Sequence, residues 1–221
     1  MTHGPIVIVN PNSNEAVTEG LREAVAPMQG LVPLDCVTLA EGPFGIESQQ
    51  DSDSVVSPLL ALMRARSDAS TFIIACYSDP GIDAAQASIP QPVFGIQAAG
   101  TLTAMARADL FGVIAIGQPS ILRHRKYMRR MGVLDRCAGE RALNMSVDET
   151  ARGTSTLQRM TEVGHQLKDD GAEIVILGCA GMARHRAPLQ AALKIPVIDP
   201  VQAATALALG TVLASGLSSS C

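Results

Sequence analysis

The chain has 221 residues, 47% of them apolar, with 4 Phe, 2 Tyr and no Trp; this suffices for one large or two small domains around an aliphatic core. A net charge of -4 and the want of any long basic run argue against a nucleic-acid binder, and the one cationic cluster, Arg123-His124-Arg125-Lys126 with Arg129 and Arg130, reads as a solvated helix face. The most apolar stretch, Ala203 to Leu217, is shorter than the roughly 20 residues a bilayer span requires and carries Thr205, Thr211 and Ser215.

Short apolar runs predict strands at 5–9, 31–39, 71–75, 92–95, 111–116, 142–147, 173–177 and 196–198. Helical periodicity fills the gaps at 14–28, 52–66, 80–88, 97–108, 120–131, 155–169, 181–193 and 200–214. Runs such as Phe72-Ile73-Ile74-Ala75 and Ile174-Val175-Ile176-Leu177 lack polar alternation, as expected of parallel strands covered on both faces. The alternation of the two patterns gives an α/β fold.

The order of elements is written twice. Ile6-Val7-Ile8-Val9-Asn10-Pro11-Asn12-Ser13 is echoed 107 positions later by Val113-Ile114-Ala115-Ile116-Gly117-Gln118-Pro119-Ser120. Thr71-Phe72-Ile73-Ile74-Ala75-Cys76 is echoed by Ile174-Val175-Ile176-Leu177-Gly178-Cys179, the cysteines 103 apart, and Pro92 by Pro196, 104 apart. A Gln-Ala-Ala follows both prolines, at 97–99 and 202–204. Three ordered matches at nearly one offset indicate a duplicated domain. The expected organisation is a first α/β lobe over 1–98 and a second over 99–202, related by a pseudo-twofold axis, with a C-terminal helix in 203–221 packing back onto the first.

Ligands of open parallel sheets sit beyond the carboxyl ends of the strands. Facing lobes would therefore bring Cys76 and Cys179 to one cleft from opposite sides. Racemising a carbon acid needs one group to remove a proton from one face and another to deliver one to the opposite face. A thiolate and a thiol can do this, and the helix start expected after each cysteine would favour the thiolate. Cys36, Cys137 and Cys221 lack such symmetry and read as core filler, loop residue and tail. Asp79 with Pro80, and Asp199 with Pro200, look like caps of the helices that follow them. In Gly178-Cys179-Ala180-Gly181-Met182 the small residues allow a ligand close to the backbone, while Asn10-Pro11-Asn12-Ser13 can cap a helix or touch a ligand. No histidine stands at a metal-ligand spacing, and no Gly-x-Gly-x-x-Gly, P-loop or Gly-x-Ser-x-Gly pattern occurs, so neither a metal nor a cofactor is expected. The odd cysteine count and the strand beginning at Pro5 fit free thiols in a reducing cytoplasm.

At these residues the chain resembles the aspartate/glutamate/hydantoin racemase superfamily, and its hydantoin racemase branch most closely. The resemblance runs through Val9-Asn10-Pro11-Asn12-Ser13, Gly42-Pro43, Ile46-Glu47, Ala75-Cys76, Ser78-Asp79-Pro80-Gly81 and Gly95-Ile96. It continues through Leu177-Gly178-Cys179-Ala180-Gly181-Met182 and Pro196-Val197-Ile198-Asp199, so it spans essentially the whole chain. It implies two lobes with the site between them, chemistry without pyridoxal phosphate, and Cys76 and Cys179 as acid and base. It also implies substrate contacts at Asn10, Tyr77, Ser78, Gln118, Ser120 and Ala180, with Gly181 beside them. Decarboxylase relatives keep only the second cysteine, so two point to racemisation. Where hydantoin racemases often carry paired threonines, this chain reads Gly117-Gln118-Pro119-Ser120. The expected substrate is a small carbon acid, a 5-substituted hydantoin or allantoin-like ring. The alternatives are an aspartate or glutamate racemase, a maleate-type cis–trans isomerase, or a binding protein without chemistry. The apolar last helix also allows a homo-oligomer.

Overall fold

A computed structural model describes residues 3–30 and 32–217 of the chain. Leu31, the first residue of the second expected strand, and Cys221 lie outside the described residues. Two four-stranded sheets are formed, all pairings parallel, with the orders β2-β1-β3-β4 and β6-β5-β7-β8. The first contains β1 (Ile6–Asn10), β2 (Leu34–Thr38), β3 (Thr71–Ile74) and β4 (Val93–Gly95); the second contains β5 (Phe111–Ala115), β6 (Cys137–Ala142), β7 (Ile174–Gly178) and β8 (Val197–Ile198). The strand order is identical, as duplication requires.

The central strands β1, β3, β5 and β7 are buried along their whole length, which explains their unbroken apolar runs. The helices are α1 (Glu15–Val25), α2 (Gln49–Ser54), α3 (Val56–Ala65), α4 (Ile82–Ser88), α5 (Ile96–Met105), α6 (Gln118–Met131), α7 (Val147–Arg152), α8 (Thr156–Asp169), α9 (Arg186–Leu193) and α10 (Pro200–Leu217), with a 3-10 segment at Ala180–His185. One apolar core joins the two sheets, running from Ile6, Ile8 and Ile73 to Ile114, Val175 and Ile176. A second core, around Val7, Val9, Phe72 and Ile74, fills the other face of the first sheet beneath Leu59 and Met63 of α3. The helix α10 packs on α5 and α1 and reaches β3, while α1 packs on the 3-10 segment and on α7. Among the described residues no helix is long and apolar enough to cross a membrane.

Three expectations need correction. The sixth strand is Cys137–Ala142 rather than 142–147, so Cys137 opens a strand instead of lying in a loop. The expected run loses its register at Asn144, which adopts φ +56, and gives way to α7. The helix expected at 52–66 starts earlier and is divided into α2 and α3, and α7 was hidden by its length, although α2 and α7 each start with a capping box, Ser48 with Asp51 and Ser146 with Glu149. Asp79 does not cap the helix that follows it. The helix α4 starts after Gly81 at φ +71, and the Asp79 carboxylate instead accepts hydrogen bonds from Gln97 N (2.9 Å) and Ala98 N (3.0 Å), at the start of α5.

Candidate active site

The loops at the carboxyl ends of β1, β3, β5 and β7 converge on one cavity of about 380 Å³, counting the part open to solvent. Cys76 and Cys179 both line it, with Tyr77, Ser78, Ser120 and Ala180 of the residues expected from sequence. Three others sit elsewhere. Asn10 is buried and its amide reaches Asn12 Oδ1, the Asn14 carbonyl and Thr18 Oγ1, so it braces the loop after β1. Gln118 is exposed on the first turn of α6. Gly181 faces Thr150, 3.2 Å from where a Cβ would stand, and its backbone N–H serves Cys179. Within Asn10-Pro11-Asn12-Ser13-Asn14 the work is divided: Asn10 braces, Asn14 caps α1 through Ala16 N, and Asn12 faces the cavity.

The two thiols sit in similar cradles. Each accepts from the backbone N–H two residues ahead, Ser78 for Cys76 and Gly181 for Cys179. Thr150 Oγ1 of α7 lies 3.9 Å from Cys179 Sγ and itself donates to the Val147 carbonyl at 2.7 Å. The expectation that helix starts would depress both thiols is overturned. Burial dominates, raising Cys179 above its ordinary value and Cys76 to about 12. The next contribution at Cys76 is the nearby charge of Cys179, so the two do not readily ionise together. Both are free thiols, as are Cys36 and Cys137.

Sequence reading missed the wall formed by α6. Arg123 was assigned to a solvated face, yet it is half-buried and lines the cavity. Its guanidinium donates to the Glu47 carbonyl (3.0 Å) and the Pro119 carbonyl (3.3 Å), with longer contacts to Ser78 Oγ (3.4 Å) and Ser120 Oγ (3.5 Å). No carboxylate pairs with it among the described residues. His124, also expected at the surface, is buried against the cavity with Nδ1 2.9 Å from Glu140 Oε1 and its ring edge-on to Tyr77. The signal was present in the helix period: positions 120, 121, 124 and 128 are the buried face of α6, and 123 borders it.

The cleft is bridged above the cavity. The Glu47 carboxylate accepts from Val147 N at 3.0 Å, and Asn14 Nδ2 donates to Asp148 Oδ1 at 3.0 Å. Ile46 and Val147 complete the cavity's apolar lining from the two sides. Among the described residues no cluster of three or more His, Cys, Asp or Glu is placed to hold a metal.

Known proteins of this shape share its sequence pattern. The Asp/Glu/Hydantoin racemase family model matches residues 6–208. A hydantoin racemase of Paenarthrobacter aurescens is 31% identical over 92% of this chain and 89% of its own length. A hydantoin racemase of Rhizobium meliloti is 30% identical over 92% and 86%. The solved allantoin racemase from Klebsiella pneumoniae superposes with a TM-score of 0.89 at 27% identity, covering 96% of this chain and 89% of that one. Fold, cavity and sequence agree: the chain belongs to the Asp/Glu/hydantoin racemase family, and its chemistry is that of an isomerase.

Proposed function

We propose that the protein racemises a 5-substituted hydantoin or an allantoin-like ring, with Cys76 and Cys179 as the two acid–base groups and no cofactor. The observation carrying this reading is that both sulfur-bearing residues line one cavity from equivalent strand ends of the two sheets. The stereocentre of such a ring is flanked by a carbonyl, so its carbanion is delocalised onto oxygen. A thiolate on one side removes the proton while the thiol opposite donates one, and the pair ends with its protonation reversed. Charge coupling between the cysteines supports the singly ionised pair that this cycle needs. Backbone N–H groups of Ser78 and Gly181 steady the thiolate in either state. Asn12, Ser120 and Arg123 line the cavity as donors for the ring oxygens. Tyr77, Ser78 and Ala180 shape the remaining wall. Thiols in this role require a reducing compartment, which we take to be the cytoplasm.

The experiment replaces each cysteine with serine and follows optical rotation together with deuterium uptake from heavy water. Either single replacement is expected to abolish racemisation, by about a thousandfold or more. One-sided deuterium exchange is expected to survive at the remaining thiol. Full racemisation by either variant would remove the two-base mechanism. The pH profile is a second check. Rate rises as the first thiolate forms, above the ordinary cysteine range because burial raises Cys179, and falls again as Cys76 ionises toward about 12.

A further inference from the structure

Beyond the cavity, α6 lines a second, more open groove of about 460 Å³, counting the part open to solvent, whose walls are Gln49, Ser52, Ser78, Arg123, Lys126, Tyr127 and Arg130. Ser78 and Arg123 belong to both spaces and form the partition between them. The groove is cationic. Arg123, Lys126 and Arg130 follow one face of α6 at helical spacing, and none of the seven lining residues is acidic.

The surrounding carboxylates are already engaged. Asp83 holds Arg130 at 2.7 Å, and Arg130 also lies over the Tyr127 ring. Asp51 is taken up by the N–H groups of Glu47 and Ser48, and Asp79 by those of Gln97 and Ala98. Asp51 acts on Arg123 through its charge, but neither Arg123, half-buried at the partition, nor Lys126, exposed in the groove, forms an ion pair among the described residues. Half-burying a guanidinium with no carboxylate in contact is costly. The arrangement makes sense when a ligand supplies the anion.

Resting on the racemase reading above, we infer that the groove receives the substrate's 5-substituent and that this substituent carries a carboxylate. The ring sits between the thiols, and a chain of one or two methylenes passes the Ser78–Arg123 partition. Its carboxylate then meets Arg123 from the far side, with Lys126 beyond. The substrate class is the hydantoin of an acidic amino acid.

The test compares 5-methylhydantoin, hydantoin-5-acetic acid and hydantoin-5-propionic acid as substrates of the full chain, by polarimetry and α-proton exchange. At least one acid is expected to show a KM about tenfold below that of the methyl compound. Lys126→Gln, at a residue outside the cavity, is expected to raise the acid's KM about threefold with kcat unchanged. The same substitution should leave both constants of the methyl compound alone, and added salt should imitate it for the acid only. Racemisation of the methyl compound with no preference for either acid overturns this inference and leaves the racemase reading standing. So does a Lys126→Gln effect equal on neutral and acidic substrates. Failure of all three compounds to exchange their α-proton removes the racemase reading and this inference with it.

Discussion

The two sheets solve the same problem with the carboxylate in different places. Each fourth strand, β4 or β8, runs directly into a helix, α5 or α10, whose first N–H groups need an acceptor. In the second half Asp199 stands at the strand end and accepts from Val201 N at 2.8 Å and Gln202 N at 3.4 Å. In the first half the position 104 residues earlier is Gly95, and the acceptor is Asp79, on the loop that carries Cys76. Asp79, three residues past Cys76, has Met182, three residues past Cys179, as its counterpart. A Cβ on Gly95 would stand 2.2 Å from the Asp79 carboxyl, so the glycine is the space the borrowed carboxylate occupies. Each helix start has a carboxylate acceptor, but the carrier differs between the two halves. In the first half that carrier also ties the Cys76 loop to α5, since Asp79 N donates to the Cys76 carbonyl at 3.0 Å.

Titration separates the two caps most sharply. Burial outweighs the N–H bonds at both, raising Asp79 to about 7 and Asp199 to about 6. A carboxyl raised above its unfolded value adds stability that is fully present below pH 3.8 and is lost as pH rises through the folded value. For Asp79 the rise corresponds to on the order of 4 kcal/mol, lost between pH 4 and 7. For Asp199 it is on the order of 3 kcal/mol, lost by about pH 6. Denaturant melts from pH 4 to 8 should therefore show wild type losing stability relative to Asp79→Asn across that window. A difference independent of pH would mean that Asp79 is ionised throughout.

Steric conflict at Gly95 comes next in size. Gly95→Ala is expected to cost about 2 kcal/mol, because the Asp79 carboxyl must leave its N–H partners. Moving the carboxylate to the strand end, as in the second half, by Asp79→Ala with Gly95→Asp tests whether the carrier alone differs. The double variant should be about 1 kcal/mol more stable than the sum of its single changes allows, as read from a double-mutant cycle. Additivity would show that the two positions do not share one role.

What could be read in advance follows where the energy is stored. Central strands announce themselves because both faces are dry, and Cys76 and Cys179 stand out because the repeat aligns them at the ends of β3 and β7. The edge strand β6 is mostly half-buried, Cys-Ala-Gly-Glu-Arg-Ala, and carries no apolar run to find. Asp79 was legible as a cap but not as the cap of a helix beginning 17 residues later at Ile96, because that pairing depends on where β4 lies beside β3. Arg123 and His124 were obscured by neighbours of like charge; only the packing of α6 against β5 and β6 reveals which of them turn inward. The capping boxes of α2 and α7 were readable signals left unread.

The smallest effect concerns what flanks each sulfur besides its backbone N–H. Cys76 faces the guanidinium of Arg123, while Cys179 faces the hydroxyl of Thr150. That hydroxyl has one proton, and at 2.7 Å the Val147 carbonyl claims it. Toward sulfur it then presents a lone pair, at a distance of 3.9 Å where any hydrogen bond is weak. Thr150→Val should accordingly change kcat by no more than about threefold, roughly the worth of a weak neutral contact. Arg123→Gln should slow turnover of every substrate more than that, because a charge facing the thiol and the ring oxygens is lost. If Thr150→Val proved the more damaging of the two, the hydroxyl would have to turn its proton to the thiolate during the reaction, and the two halves of the site would be electrostatically closer than their side chains imply.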